Sequence, residues 1–374
     1  MKRTADHQAG WAPPAGPHRP LVAVPRSAAR QAAGAVLTVL LALATAVLAP
    51  VMTAGAASAA VPPVPQNVSG MDLHDGTVVT DTAGGLHMLG TRYGCGFSWE
   101  TNGTPWCGFG SAAGSAPGGP WAAPVLLFSP AAKISATGWA GDNGMTWAFM
   151  CGLGGQGCFN PRMVRAPGGT WLLWFNAPGD KGRHANPYWV MTCTGPAGPC
   201  GSPHKPAIYG CNTGGDFSIA VQGTTAWMIC SGASRRIIMT RLGTGDRDGQ
   251  NVVTAPLSPG AAEGTGIGIL HTASGYEAIW STPNCGYCTG PPLETAAAPG
   301  ATHVFAAYAT APNLVGPWTY RGLKSPVACT GQTRSVFGAA GTSWVWMDHW
   351  NGTPREAGAP VAMIPLEMDP WSCA

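Results

Sequence analysis

Apolar positions along this 374-residue chain come in short bursts, opened by small residues, rich in Trp and Met, and broken by Gly or Pro. Five bursts are variants of one strand: residues 85–91 (GLHMLGT), 170–176 (TWLLWFN), 225–231 (TAWMICS), 275–281 (GYEAIWS) and 342–348 (TSWVWMD). Their starts lie 85, 55, 50 and 67 residues apart, and each interval holds a blade of about four short strands. Gly-Pro steps at 119–121 (GPW), 198–200 (GPC) and 316–318 (GPW) close polar stretches, because this step turns the chain and has no place inside a central strand. From residue 61 onward no segment keeps a 3.6-residue apolar period over three capped turns. The pattern predicts an all-β chain, a five-bladed β-propeller filling residues 61–374. A β-sandwich or β-helix is the competing arrangement, but a sandwich gives no reason for five copies at blade-sized intervals.

Residues 1–60 follow a different logic. Lys2, Arg3, Arg19, Arg26 and Arg30 precede the apolar run 35–47 (AVLTVLLALATAV), which Pro50 stops before a small-residue stretch ending near Ala59 and Ala60. That order reads as a secretory signal with cleavage near Ala59 or Ala60, against the alternative of a retained membrane anchor. The formal charge of +3 then belongs to the signal, since the remaining chain has 15 basic and 16 acidic residues. Nothing basic is left to bind nucleic acid by counterion release. Expectations for the exported chain are a secreted monomer, no nucleic-acid partner and no stable membrane association. With 54 Gly and 35 Pro the chain approaches low-complexity composition, but 16 Trp and 45% hydrophobic residues supply apolar area that a disordered chain lacks.

All 12 Cys follow the cleavage site, and an even number in an exported chain argues for disulfides rather than metal. Short separations suggest Cys95 with Cys107, Cys151 with Cys158, Cys193 with Cys200 and Cys211 with Cys230. The Cys285-Gly-Tyr-Cys288 spacing is that of a redox motif, but no βαβ pattern surrounds it, so a structural role is expected.

Carboxylates are few. Asp75, Asp216 and Glu263 stand about ten, nine and twelve residues ahead of three of the repeated strands, the offset of an inner strand that precedes the next strand outward by one turn. Three blades would thus aim three carboxylates into one channel. Each taken alone also fits a turn or cap. Two facing carboxylates are the minimum for glycoside hydrolysis, one ionised and one protonated.

Several segments carry a family resemblance in order: 73–76 (LHDG) with 85–97 (GLHMLGTRYGCGF), 158–164 (CFNPRMV), 283–288 (PNCGYC) with 307–318 (AYATAPNLVGPW), and 331–336 (GQTRSV) with 346–350 (WMDHW) and 364–366 (IPL). Together they resemble the successive blades of exported family 43 glycoside hydrolases over about residues 66–368. The resemblance implies a five-bladed propeller and an inverting mechanism, with Asp75 as base, Glu263 as acid and Asp216 tuning the acid. It implies arabinose-, xylose- or galactose-containing polysaccharide or oligosaccharide as substrate. Two departures mark the chain: Ser218 competes with Asp216 for the third-blade register, and Glu263 is followed by Gly-Thr-Gly instead of Ala-Pro. A propeller that keeps a carbohydrate cleft without turnover is the alternative function.

The remaining substrate-binding candidates are His74, Trp99, Trp106, Arg162 and Asp348. His74 would orient Asp75 or sit as a satisfied core histidine. Trp99 and Trp106 offer flat faces to a sugar, or pack a blade. Arg162 would bind substrate hydroxyls or pair with a carboxylate. Asp348 lies in the fifth-blade motif. No oxygen-ligand loop of defined spacing indicates a metal, although a channel calcium is compatible with such propellers; no cofactor is expected.

Overall fold

The computed structural model describes residues 63–98, 105–134, 144–153, 157–182, 186–211, 215–231, 237–243, 245, 247–257, 265–282, 305–324, 332–349 and 356–367. Residues 1–60, where a secretory signal is expected, together with Trp99, Glu263 and the Cys285–Cys288 pair lie outside the described residues.

Five four-stranded antiparallel sheets follow one another along the chain. Blade I holds β2 (His74–Thr80), β3 (Leu86–Thr91), β4 (Phe109–Gly114) and β5 (Val125–Leu126). Blade II holds β6 (Phe159–Arg165), β7 (Trp171–Asn176), β8 (Tyr188–Cys193) and β9 (Cys200–His204). Blade III holds β10 (Phe217–Gln222), β11 (Thr225–Ser231), β12 (Ile237–Leu242) and β13 (Gly249–Leu257). Blade IV holds β14 (Thr265–Thr272), β15 (Gly275–Thr282), β16 (Phe305–Ala311) and β17 (Thr319–Leu323). Blade V holds β18 (Gln332–Ala339), β19 (Thr342–Asp348) and β20 (Val361–Pro365), completed by β1 (Gln66–Val68).

The result is the expected five-bladed propeller, and the five repeated bursts are the second strands β3, β7, β11, β15 and β19. The N-terminal strand β1 pairs with β20 through Gln66↔Met363, Asn67↔Ala362 and Val68↔Val361. This joins the two ends of the described chain in one sheet. The inner strands β2, β6, β10, β14 and β18 neighbour one another around the axis.

Five hydrophobic clusters fill the five junctions between blades. The second strands supply much of this filling because both of their faces are covered, so they read as runs of Trp, Leu, Ile and Met rather than as an alternation. Trp174, Trp280 and Trp346 are fully buried there. Each such aromatic removes on the order of 150–250 Å² from water.

The three Gly-Pro steps, all cis, turn the chain toward the outer strands of blades I, II and IV. After two of them a Trp indole donates back to a carbonyl four residues earlier, Trp121 to Pro117 at 3.2 Å and Trp318 to Leu314 at 3.0 Å. In blade II the equivalent place is Cys200, which instead bonds Cys193 across the β8–β9 pair. All four expected disulfides are present, with sequence separations of 12, 7, 7 and 19. In the chain-entropy model, loops of this size contribute about 2–3 kcal/mol each.

Arg162 on β6 ties four blades at the axis. Its guanidinium is 1% exposed. Nε donates to the Phe217 carbonyl at 2.9 Å, and Nη1 to the Arg334 carbonyl at 2.8 Å and to the Gly76 carbonyl. These acceptors belong to blades III, V and I. Burial pushes Arg162 down to about 10, which leaves it charged at neutral pH. Its fork of donors serves inner-strand carbonyls that water does not reach.

Arg162→Met leaves three buried carbonyls without that donor. At about 1–3 kcal/mol per unsatisfied group, the loss is expected to be on the order of 3 kcal/mol or more, read as a fall of roughly 10 °C in Tm. An unchanged Tm would show that the guanidinium does not join the blades.

Candidate active site

Four of the five inner strands, β2, β6, β14 and β18, carry bulges near the axis. β2 pairs with β3 at His74↔Thr91 and next at Thr77↔Leu89, so Asp75 and Gly76 together face Gly90. β6 repeats this, with Asn160 and Pro161 between Phe159↔Asn176 and Arg162↔Trp174. Asp75 and Asn160 share a left-handed backbone, φ 61° and 54°, which short Asx side chains tolerate best after glycine. On β18, Arg334 is the extra residue between Thr333↔Met347 and Ser335↔Trp346. A bulge re-aims a side chain that regular pairing would send into the blade. The approach is close enough to require glycine: a Cβ on Gly76 would overlap the Leu89 carbonyl oxygen, and one on Gly90 would overlap the His74 nitrogen.

Arg334 sits among three carboxylates from three blades. Its Nη2 lies 2.5 Å from Asp75 Oδ1 of blade I, its Nη1 3.1 Å from Asp216 Oδ2 at the entrance to blade III, and its Nε 3.0 Å from Asp348 Oδ2 of blade V. Nη2 also donates to Gln332 Oε1, while Gln332 Nε2 donates to Asp216 Oδ2 at 3.2 Å. Burial works against the charge on Arg334, but Asp75, Asp216 and Asp348 outweigh it and hold the guanidinium more firmly protonated than usual.

The carboxylates differ in surroundings. Asp348 is fully buried and accepts from the Asp75 amide at 2.8 Å and from Trp346 Nε1 at 2.9 Å, with His74 Nδ1 at 3.5 Å from Oδ1. Burial raises its pKa, but His74, Arg334 and the Asp75 amide prevail and hold it below the usual range. Asp75 is 5% exposed. Burial lifts its carboxyl above the ordinary value, reinforced by Asp348 and Asp216, and Arg334 and the Tyr93 hydroxyl only partly oppose this. The Tyr93 hydroxyl donates to Asp75 Oδ2 at 2.5 Å. Asp75 is therefore a carboxylate fixed through both oxygens yet more basic than usual, which suits an acceptor of a proton from water.

The sequence candidates distribute unevenly. Asp75 and Asp216 meet at Arg334: Asp216 reaches its guanidinium, whereas Ser218 pairs with Ile229 within the β10–β11 ladder. Asp348, expected among the substrate contacts, lies beneath Asp75 with all its named partners from protein. Trp106, expected to offer a sugar platform, is 1% exposed between Phe109 and Phe128, with its indole donating to the Cys158 carbonyl. Apolar burial of the ring and satisfaction of its N–H both pull it into the core, leaving no face for a ligand. Arg162 binds backbone carbonyls, neither a described carboxylate nor open solvent. His74 is buried beside Asp348 and Tyr93. Tyr93, Gln332 and Arg334 carried no role in the sequence reading, although the Gln-Thr-Arg triplet opening the last inner strand was a signal for two of them. Among the described residues no group of three His, Cys, Asp or Glu could hold a metal ion; Arg334 supplies the positive charge between the three Asp.

By sequence the chain matches no protein-family model and no curated protein. By structure it is similar to a family 43 β-1,3-galactosidase, with a TM-score of 0.55 and 16% identity over 80% of this chain and 60% of that one. It is similar to an exo-β-1,3-galactanase from Phanerochaete chrysosporium bound to β-1,3-galactotriose, with a TM-score of 0.54 and 16% identity over 80% of this chain and 64% of that one. The fold is that of family 43 glycoside hydrolases. A second family 43 β-1,3-galactosidase, with galactodeoxynojirimycin, has a TM-score of 0.56 and 14% identity over 80% of this chain and 92% of that one. The chain thus spans about 60–64% of the first two structures and most of the third. The family 43 propeller fold accounts for the blade order.

The opposite shifts of Asp75 and Asp348 predict opposite mutant stabilities. Asp75 has a raised folded pKa, so ionising it costs stability as pH rises through that value. Asp348 has a depressed one, so its contribution is present above the unfolded value near 4 and is lost as pH falls through the folded value. At pH 7, Asp75→Asn is expected to raise Tm and Asp348→Asn to lower it, both measured by thermal unfolding. The same sign for both variants would contradict the charge arrangement.

Proposed function

We propose that the chain is an exported, monomeric glycoside hydrolase that acts by inversion on galactose-containing polysaccharide, with β-1,3-linked galactan the first substrate to test. The catalytic unit is residues 61–374 after cleavage near Ala59 or Ala60. The observation that carries this reading is the Asp75 carboxylate, placed on a bulge of the inner strand of blade I and fixed by Arg334 and Tyr93, with its amide bound to Asp348. The names of the structural neighbours, galactosidases and galactanases, support the choice of sugar. Four disulfides support export, and among the described residues no helix is long and apolar enough to cross a membrane.

In the proposed step Asp75 takes a proton from a water whose oxygen attacks the anomeric carbon. The bond from that carbon to the leaving oxygen breaks, and Glu263 delivers its proton to that oxygen. Asp216, bound to Arg334 and Gln332, modulates the acid. The two carboxyl groups reset by exchanging protons with solvent. No resident cofactor takes part in this scheme. General base and general acid assistance typically supply about 10²–10⁴ in rate each.

The test is hydrolysis of galactosyl, arabinofuranosyl and xylosyl aryl glycosides and of β-1,3-galactan by the mature chain. The galactosides are expected to be cleaved with α-galactose as the first product from a β-linked substrate, and Asp75→Asn and Glu263→Gln are each expected to lose about 10²-fold or more. Retention of configuration, or variants as fast as the parent, would overturn the assignment. Binding of galactan without release of sugar would favour the carbohydrate-binding alternative.

A further inference from the structure

Asp75 is held from two sides, and only one is accounted for by charge. Arg334 occupies Oδ1 at 2.5 Å, and the Tyr93 hydroxyl occupies Oδ2 at the same distance. Tyr93 is 2% exposed. Its ring stacks on Phe97 with centroids 5.2 Å apart and planes 16° from parallel, and it lies 5.8 Å from the tilted ring of His74. The backbone below is equally constrained: Asp72 Oδ1 accepts from the Tyr93 amide at 2.8 Å and Oδ2 from the Gly94 amide at 2.9 Å. The Cys95–Cys107 disulfide begins one residue further on.

We propose that Tyr93 is a positioning residue for the base, its phenol locking the Asp75 carboxylate in one orientation and setting the pH at which Asp75 accepts a proton, while Asp72 locks the turn that presents Tyr93. The proposal rests on the reading of Asp75 as base. Burial first, then the Asp75 charge, pushes the phenol well above its ordinary value of 10, so Tyr93 donates to Asp75 at every working pH and does not itself take the proton.

The other charged or titratable groups near the pair are Arg334 and Arg162 on inner strands, Asp348 at the end of β19, Asp216 before β10, His74 beside Asp75, and Glu356 near Tyr93. Among these, Arg334 stabilises the Asp75 carboxylate and Asp348 and Asp216 destabilise it. Removing the phenol therefore subtracts a stabiliser of the ionised form and leaves the repulsion in place, so the carboxyl must titrate at higher pH.

The experiment follows the Asp75 carboxyl by ¹³C NMR in the mature chain and in Tyr93→Phe, and records kcat/KM against pH on whichever aryl glycoside the parent cleaves. In Tyr93→Phe both the carboxyl titration and the acid limb are expected to move up by about one pH unit, with KM within about twofold. Asp72→Asn, which keeps the shape of the turn but weakens its acceptor, is expected to move them the same way by less. An Asp75 titration at the same pH with and without the phenol overturns the proposal. A shifted titration in a chain that cleaves no glycoside supports the Tyr93–Asp75 coupling and overturns only the role of Asp75 as base.

Discussion

Three carboxylates from blades I, III and V, two buried and one partly so, share one guanidinium, and this is the constraint on which the rest of the structure turns. Asp75, Asp216 and Asp348 would repel one another across the axis without Arg334, and burial would multiply that repulsion by removing the screening of water. Arg334 reaches all three because its planar head presents separate donors in fixed directions, one nitrogen for each carboxylate. The arrangement forms only when the first, third and fifth blades are in place. Closing the ring through β1 and β20 and assembling the polar centre are therefore linked. Arg162 plays the complementary part, joining the backbones of the same three blades as Arg334 joins their side chains.

The charge count at the axis explains how like groups come to differ. Arg334 contacts all three carboxylates, so a single guanidinium charge is shared among them. Asp348 has the fuller set of donors and stays ionised, whereas burial first, and then repulsion from Asp348 and Asp216, makes Asp75 the more basic. Two identical side chains thereby take different chemical characters from their surroundings. The cost is a desolvated centre with left-handed backbone at Asp75 and Asn160, both of which lower stability.

Much of the fold was legible in the chain because it is written in repetition. The apolar second strands, Trp-bearing in four of five blades, occupy the same place in every blade, so their spacing reported the blade count directly, and the Gly-Pro steps reported the outer turns of three blades. The cysteine pairs were legible because close neighbours in sequence have few places to go. The centre was less so. Asp75 and Asp216 could be picked out by their offset from the second strands, but Arg334 looks like any residue of an apolar strand until the β18 bulge turns it inward, and bulges leave little trace in an alternation. Trp106 had two readings in the sequence, a face for a sugar or a packed ring, and Phe109, Phe128 and the Cys158 carbonyl draw it into the core.

The central claim is that an axial carboxylate on blade I faces the sugar through one water. The most direct measurement is a crystal structure of the mature Asp75→Asn variant soaked with a β-1,3-galacto-oligosaccharide. The account predicts a galactose unit over the substituted side chain and Asp216, with a single water between that side chain and the anomeric carbon and with Arg334 still held by Asp216 and Asp348. A sugar bound away from the axis, or a side chain at this position with no path to the anomeric carbon, would contradict it.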